Sequence, residues 1–252
     1  MIDNSQANPV KGRFVREEER PGIRRLPLFR EMSETTFDRL MEVSYAQNFP
    51  PALDLFTQGE RADFLHVLVE GLAELHSEWQ GRETVMGVVQ PVSAFIVAAC
   101  VRDGQYLMSA RTLARSRIVL IPVGDLLAAM HRDADFAMAA MTEMARSYRV
   151  MVRHAKNMKL RNARERLAAW ILRESMHLGG AAGFLLPVEK RRLASYLGIT
   201  AESLSRSIRG LREDGVRIDG ARVTITDMAR LVALAGPDPL IDDPEPEGLP
   251  PA

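Results

Sequence analysis

A stretch of 26 residues without glycine or proline, 133–158, limits most strongly what this chain can fold into. Within it an apolar residue recurs on average every 3.5 positions, which is typical of an α-helix that packs along a partner helix. The sequence therefore predicts a long helix and a homodimer, with packing of the same seam inside one chain as the alternative. The seam, at alternating spacings of four and three, consists of Ala137, Met141, Met144, Tyr148, Met151, Ala155 and Met158.

Before this helix, residues 45–123 carry short apolar runs, such as 64–69 and 117–122, between glycines and prolines. These turn residues recur about every ten positions, a spacing typical of an all-β barrel or roll. Ser33 at the start of an amphipathic stretch predicts a short helix ahead of the strands. Residues 1–25 are charged and weakly apolar, and we expect a flexible arm there.

After the long helix, residues 193–208 have the spacing of a helix-turn-helix. Gly198 permits the positive φ of a tight turn, and Thr200 is placed to cap the second helix. Pro187 is expected to be the first residue of the preceding helix. The apolar positions that face the predicted core are Leu193, Leu197, Ile199, Leu204, Ile208 and Leu211.

The second helix has an opposite polar face, with side chains at positions i, i+3, i+4 and i+7. In a DNA major groove, Arg206 can bond guanine O6 and N7, Glu202 can accept from cytosine N4, and Ser205 can bond a base edge. Arg209 is placed for phosphates, which fix register without reading sequence. The residues predicted to contact the DNA backbone are Thr200, Ser203, Arg209, Arg212, Lys190, Arg191 and Arg222.

An alternating segment, residues 216–225, follows directly and contains the Asp219–Gly220 dipeptide of a type I′ turn. A hairpin in this place is the wing of a winged helix. It favours DNA binding over the alternative of an ordinary solvated helix face. The chain carries 33 basic and 33 acidic side chains, but residues 157–220 have a net charge of +5. That local excess indicates an anion-binding surface.

Several classes of protein are excluded by what the sequence lacks. One cysteine, Cys100, is too few for a disulfide framework or a four-thiolate iron–sulfur cluster. No apolar run reaches the roughly 18–20 residues of a membrane span, so we expect a cytoplasmic protein without a membrane partner. A metal-dependent enzyme on the β-roll would need a His-x-His pair, which is absent. A winged helix that binds protein rather than DNA is a further alternative.

Together these motifs resemble the Crp/Fnr family of bacterial transcription factors over residues 26–235. Segments 55–60 and 67–71 look like the first turns of the family's β-roll, and Glu202, Ser205 and Arg206 match the E-x-x-S-R motif of the Fnr branch. The resemblance implies an α+β fold: an N-terminal cyclic-nucleotide-binding-like jelly roll, a long dimerisation helix and a C-terminal winged helix-turn-helix. It further implies a homodimer that reads a TTGAT-type inverted repeat and, as an activator, contacts RNA polymerase.

The sensor residues depart from the family's nucleotide-binding pattern. Residues 91–97 lack the ribose-binding carboxylate, and segment 106–112 does not place the phosphate-binding hydroxyl and guanidinium in register. We therefore do not expect cyclic AMP; another small ligand is the alternative. Segments 94–99 and 106–113 look like the NnrR/Dnr-type regulators, which respond to nitric oxide, with haem as the candidate cofactor. Of the five histidines and Cys100, His76 and His154 are the candidate haem ligands.

Five segments are predicted in all, and no enzyme activity is expected. They are a flexible arm (1–25), a β-roll sensor (26–132), a dimerisation helix (133–158), a winged helix-turn-helix (159–236) and a disordered, acidic, proline-rich tail (237–252).

Overall fold

The computed structural model describes residues 13–101 and 104–242. These form two compact units, one of residues 13–75 and 89–144 and the other of residues 76–88 and 145–242. The predicted order of a β domain followed by a helix-turn-helix domain is confirmed, as is the mixed composition of helix and sheet.

Two antiparallel sheets form the β-roll, with strand orders β1-β2-β9-β4-β7 and β3-β8-β5-β6. Short helices precede and follow them. The elements of this part are β1 (Arg13–Phe14), α1 (Arg20–Arg24), α2 (Pro27–Arg30), α3 (Glu34–Glu42), β2 (Tyr45–Phe49), β3 (Asp54–Phe56), β4 (Phe64–Glu70), β5 (Ala73–Trp79), β6 (Arg82–Val89), β7 (Ser93–Phe95), α4 (Val97–Val101), β8 (Ser109–Thr112), β9 (Ser116–Pro122) and α5 (Val123–Arg132).

The central strands β4 and β9 are buried on both faces, which explains their continuous apolar runs. Successive side chains on a strand point to opposite sides. Leu65 and Val67 therefore pack into the core beneath the helices, while Leu68 packs into the core between the sheets. On β9, Val119 packs into the core beneath the helices and Ile118 into the core between the sheets.

The prediction of a flexible arm is wrong for residues 13–25; residues 1–12 lie outside the described range. Ile23 is fully buried, and Glu19 forms an ion pair with Arg117 of β9 in which both side chains are almost completely enclosed. Arg117 Nη2 lies 3.2 Å from Glu19 Oε2, and the backbone N–H of Arg16 donates to the same carboxylate. Burial alone would raise the pKa of Glu19, but these hydrogen bonds outweigh it and the pKa lies below its usual range.

Ten elements make up the rest of the described chain. They are α6 (Ala134–Leu160), α7 (Ala163–His177), β10 (Gly183–Leu185), α8 (Lys190–Tyr196), α9 (Ala201–Gly210), a 3₁₀ helix (Leu211–Asp214), β11 (Val216–Asp219), β12 (Arg222–Ile225), α10 (Met228–Ala235) and α11 (Pro239–Asp242). The first of these confirms the long helix. Strands β10, β12 and β11 form one sheet in that order.

Two local predictions in this unit differ from the structure. Pro187 lies in a bend, and α8 begins at Lys190, because residues 183–185 are used as a strand that pairs with β12. In the wing, Asp219 pairs with Arg222, so the two-residue loop is Gly220–Ala221, one position later than expected.

The predicted disordered tail is also wrong for its first residues. Residues 237–242 are described, and Asp242 Oδ1 accepts a hydrogen bond of 2.6 Å from Arg161 Nη1. The Arg161 side chain is 7% exposed, so this ion pair is largely enclosed. Residues 243–252 lie outside the described range.

We expect the buried Glu19–Arg117 pair to affect the free energy of unfolding. In Glu19→Ala, the Arg117 guanidinium stays buried without its partner, which is expected to lower the free energy of unfolding by roughly 3–5 kcal/mol. Urea denaturation followed by circular dichroism measures this loss. The double variant Glu19→Leu, Arg117→Met removes both charges and is expected to recover most of it. An unchanged midpoint in Glu19→Ala would contradict the prediction.

Candidate nucleic-acid interface

Helix α9 presents the predicted polar face to solvent. Its N-terminus is capped as expected: the hydroxyl of Thr200 accepts from the backbone N–H of Ser203 at 3.1 Å. Leu204 is buried against α7 and the sheet, as is Ser207, the residue that departs from the family pattern. On the other side, the floor of an open concavity is formed by Ala201, Glu202, Ser205, Arg206 and Arg209.

The turn between α8 and α9 depends on Gly198, whose φ is +61°. A Cβ at this position would lie 2.1 Å from Cε of Met158, so the end of α6 packs directly on the turn. Glycine is favoured here by the left-handed backbone, and a larger residue would also have to displace the flexible end of the Met158 side chain. Met158 was predicted as the last residue of the dimer seam; in the structure it contacts its own chain instead.

The other large side chains of the predicted seam remain exposed in the single chain. Tyr148 is 71% exposed, Met141 55% and Met151 54%, which are high values for apolar side chains in the middle of a helix. Within α6, only Phe136 and Ala140 are buried, near its first turns. A continuous apolar stripe is therefore available on this helix.

Three arginines at the junction of α6 and α7 serve the fold. Arg164 donates to the carbonyl of Gly210 at the end of α9 (3.1 Å) and to Asp214 Oδ2 (Nε, 2.9 Å). Arg166 bonds the carbonyls of Met158 and Arg161, and Arg161 binds Asp242. The net charge of +5 therefore overstates the surface that can meet an anion, because these three guanidinium groups face protein acceptors.

The remaining cations surround α9. Thr200 is exposed and Ser203 is partly buried. The Arg212 side chain is 63% exposed, although it lies 3.9 Å from Asp219. A cation near the beginning of α8 or on the wing can reach a phosphate beside a helix that lies in the groove. The exposed cations predicted to contact the DNA backbone are Lys190, Arg191, Arg209, Arg212 and Arg222.

A contact to α8 was not foreseen from the sequence. Ser195 Oγ accepts from the backbone N–H of Val85 at 2.8 Å and lies 3.0 Å from Thr84 Oγ1. Both residues belong to the hairpin 76–88, far from Ser195 in the chain. No local pattern marks such a pair, because a serine and a backbone amide are available almost everywhere.

The histidines occupy three different environments. His66 lies among Phe56, Phe95 and Tyr106, and burial lowers its pKa to about 4. His76 is buried with an unpartnered Nδ1, and its Nε2 lies 3.8 Å from Glu83.

The ring of His154 packs against Tyr196 at 6.3 Å. Although His154 is exposed, partial desolvation by its neighbours lowers its pKa, and the charges of Arg166 and Arg173 lower it further. Cys100, in contrast, is buried, which raises the pKa of its thiol to about 12.

Another ion pair of the β-roll joins Arg111 to Glu74. The Glu74 carboxylate is fully buried, and Arg111 donates to its Oε1 from both Nε (3.0 Å) and Nη2 (2.6 Å). Arg111 is the guanidinium of the segment in which a cyclic-phosphate ligand would be sought. It already has a carboxylate partner inside the protein.

Within the described ranges, no helix is long and apolar enough to cross a membrane. Across the same residues, no three His, Cys, Asp or Glu side chains meet in a group that could hold a metal ion.

Comparison with known proteins covers both parts of the chain. Residues 46–133 match the cyclic nucleotide-binding domain, and residues 165–234 match the Crp-like helix-turn-helix domain. A relative from Cereibacter sphaeroides, the transcriptional activator protein FnrL, is 29% identical over 79% of this chain and 84% of its own length. The cyclic AMP receptor protein of Thermus thermophilus is 23% identical over 83% of this chain and 96% of its own.

Solved structures show the same architecture. A structure described as a putative cAMP-binding regulatory protein from Silicibacter pomeroyi is 25% identical, with a TM-score of 0.52, and covers 87% of this chain and 99% of that one. FixK2 from Bradyrhizobium japonicum has a TM-score of 0.61 at 21% identity and covers 76% of this chain and 97% of that one. The second likeness concerns the fold alone.

Proposed function

The chain belongs to the Crp/Fnr family of DNA-binding transcriptional regulators, and we propose that it reads a TTGAT-type inverted repeat as a homodimer. In this proposal the β-roll responds to a signal, nitric oxide bound through haem, that governs genes of nitrogen-oxide metabolism. The protein acts in the cytoplasm without enzyme activity and, if it activates, contacts RNA polymerase.

The observation that carries the DNA proposal is the exposed face of α9. Glu202, Ser205 and Arg206 lie together on a helix whose other side is anchored in the core, so they can enter a major groove without unfolding anything. The single G·C pair of each TTGAT half-site then offers guanine O6 and N7 to Arg206 and cytosine N4 to Glu202. Arg209 and the surrounding cations bind phosphates.

The homodimer proposal rests on the exposed stripe of α6. Two copies of this helix would bury Met141, Met144, Tyr148 and Met151 against one another. Such burial stabilises by about 25 cal/mol for each Å² of apolar surface. A two-fold dimer would present two copies of α9, and an inverted repeat with half-sites one helical turn apart requires two such helices.

For the signal, His76 and His154 are the proposed haem ligands. The buried Nδ1 of His76 lacks a partner, and the lowered pKa of His154 favours the neutral ring that binds a metal; both properties fit an iron ligand. When bound, haem would supply an iron that takes up nitric oxide. The protein's own part is to keep the His76 ring buried and to favour the neutral form of His154.

A cyclic nucleotide is the alternative signal, since residues 46–133 match a cyclic nucleotide-binding domain. The Glu74–Arg111 pair argues against a cyclic nucleotide, because its phosphate would have to displace a fully buried carboxylate from the guanidinium. Another small ligand of the β-roll remains compatible with the same regulator.

The DNA proposal predicts different outcomes for two arginines of α9. Arg206→Ala is expected to cost about 1–3 kcal/mol on a TTGAT-N4-ATCAA duplex and to relax selectivity at the G·C pair. Arg209→Ala is expected to weaken specific and random duplexes alike and to lower the salt dependence. Fluorescence anisotropy at several salt concentrations measures both. Equal losses on specific and random DNA for Arg206→Ala would contradict the assignment.

The dimer proposal predicts that Met151→Lys dissociates the protein, because two like charges would meet across the two-fold axis. Analytical ultracentrifugation should then report a monomer. Met158→Ala is the matched control: its side chain lies on Gly198, so the dimer should persist. A dimeric Met151→Lys would show that this stripe is not the interface.

The haem proposal predicts stoichiometric haem uptake with a Soret band that shifts on addition of nitric oxide. His76→Ala and His154→Ala should each lose the haem, whereas His131→Ala, at an exposed position, should retain it. Absorption spectra after reconstitution measure the stoichiometry. A wild-type protein that holds no stoichiometric haem would refute the proposal, without affecting the DNA assignment.

A further inference from the structure

A relay of hydroxyl groups runs along the first turns of α9 and ends at Arg206. The hydroxyl of Thr200 donates to Ser203 Oγ at 3.1 Å while it accepts from the backbone N–H of Ser203. Ser203 Oγ in turn accepts from Arg206 Nη2 at 3.2 Å. The helix cap is therefore linked to the guanidinium through a single partly buried side chain.

This link constrains a side chain that is otherwise free in solvent. Ser203 and Arg206 are three residues apart, so they lie on neighbouring turns of one helix face. A guanidinium is planar and has five N–H donors, of which bidentate bonding to guanine uses two. One donor can therefore remain on Ser203 Oγ while two others meet the base.

We propose that Ser203 is a positioning residue for base reading, which holds the Arg206 guanidinium for the guanine of each half-site. The inference rests on the proposed function. It assigns to Ser203 a role in specificity, in place of the phosphate contact expected from the sequence. Fixing a flexible side chain before binding removes part of the ordering cost that association otherwise carries.

The two roles of Ser203 have different consequences for binding. A serine that only contacts phosphate contributes equally to every duplex, because phosphates carry no sequence information. A serine that orients Arg206 contributes only where Arg206 has a guanine to bond. The decisive quantity is therefore the ratio of dissociation constants between two duplexes, TTGAT-N4-ATCAA and TTAAT-N4-ATTAA.

For full-length protein, Ser203→Ala is expected to reduce this ratio by about 2–12-fold. This range corresponds to the cost of ordering one flexible side chain, here Arg206, on binding. The dissociation constant on the guanine-free duplex should be unchanged. Ser203→Thr keeps the hydroxyl and should preserve the ratio. An equal loss on both duplexes after Ser203→Ala would overturn the proposal.

Double-mutant cycles test whether Ser203 acts through Arg206. In an Arg206→Ala background, Ser203→Ala should cause no further loss of the ratio, because the group it positions is gone. In an Arg209→Ala background, the matched control on the same helix, the full effect should remain. The same loss in both backgrounds would overturn the proposal.

The controls also distinguish failure of the inference from failure of the proposed function. Melting temperatures and circular dichroism of each variant must match the wild type, so that a change in the ratio does not reflect a loss of fold. If the wild type discriminates through Arg206 but Ser203→Ala does not alter the ratio, the positioning role alone is wrong. If the wild type does not distinguish the two duplexes, the proposed DNA site is wrong and the inference with it.

Discussion

The left-handed turn at Gly198 is the constraint on which the DNA-binding unit depends. Its positive φ ends α8, and the next residues place Thr200 as the cap of α9, so the turn sets the angle between the two helices. The end of the Met158 side chain packs on the same glycine. The end of the long helix therefore contacts the turn that precedes α9.

The junction arginines show how a basic segment divides into structural and functional parts. Arg164 holds the last carbonyl of α9 and Asp214, which is a favourable place for a cation because the C-terminal end of a helix is negative. Arg166 and Arg161 are similarly occupied within the chain. The exposed cations around α9 are therefore fewer than the local net charge suggests. An estimate of an anion-binding surface from local charge has to leave out the guanidinium groups that bind acceptors within the protein.

In the β-roll, several charged side chains are buried, so the sequence does not show which of them are accessible to a ligand. Glu19, Glu74 and Arg117 have side chains that are almost completely buried, and each charge is balanced by a partner from a distant segment. A charged N-terminal segment therefore reads as an arm in sequence but is held against β9 in the structure. His66 is buried as well, and its ring packs against aromatic side chains.

The sequence by itself determined the long helix, its exposed stripe, the helix-turn-helix and the polar face of α9. These features follow from periodicities of 3.5 and 3.6 residues, from a single glycine and from a cap, all of which act over a few positions. Only the tertiary structure decided that Met158 leaves the stripe, that Pro187 precedes rather than begins a helix, that residues 183–185 form a strand and that Ser195 binds a distant hairpin. Each of these depends on a partner from another part of the chain or on a backbone segment that competes for the same residues. Such pairings are selected by packing of the whole unit, and spacing along the sequence does not contain them.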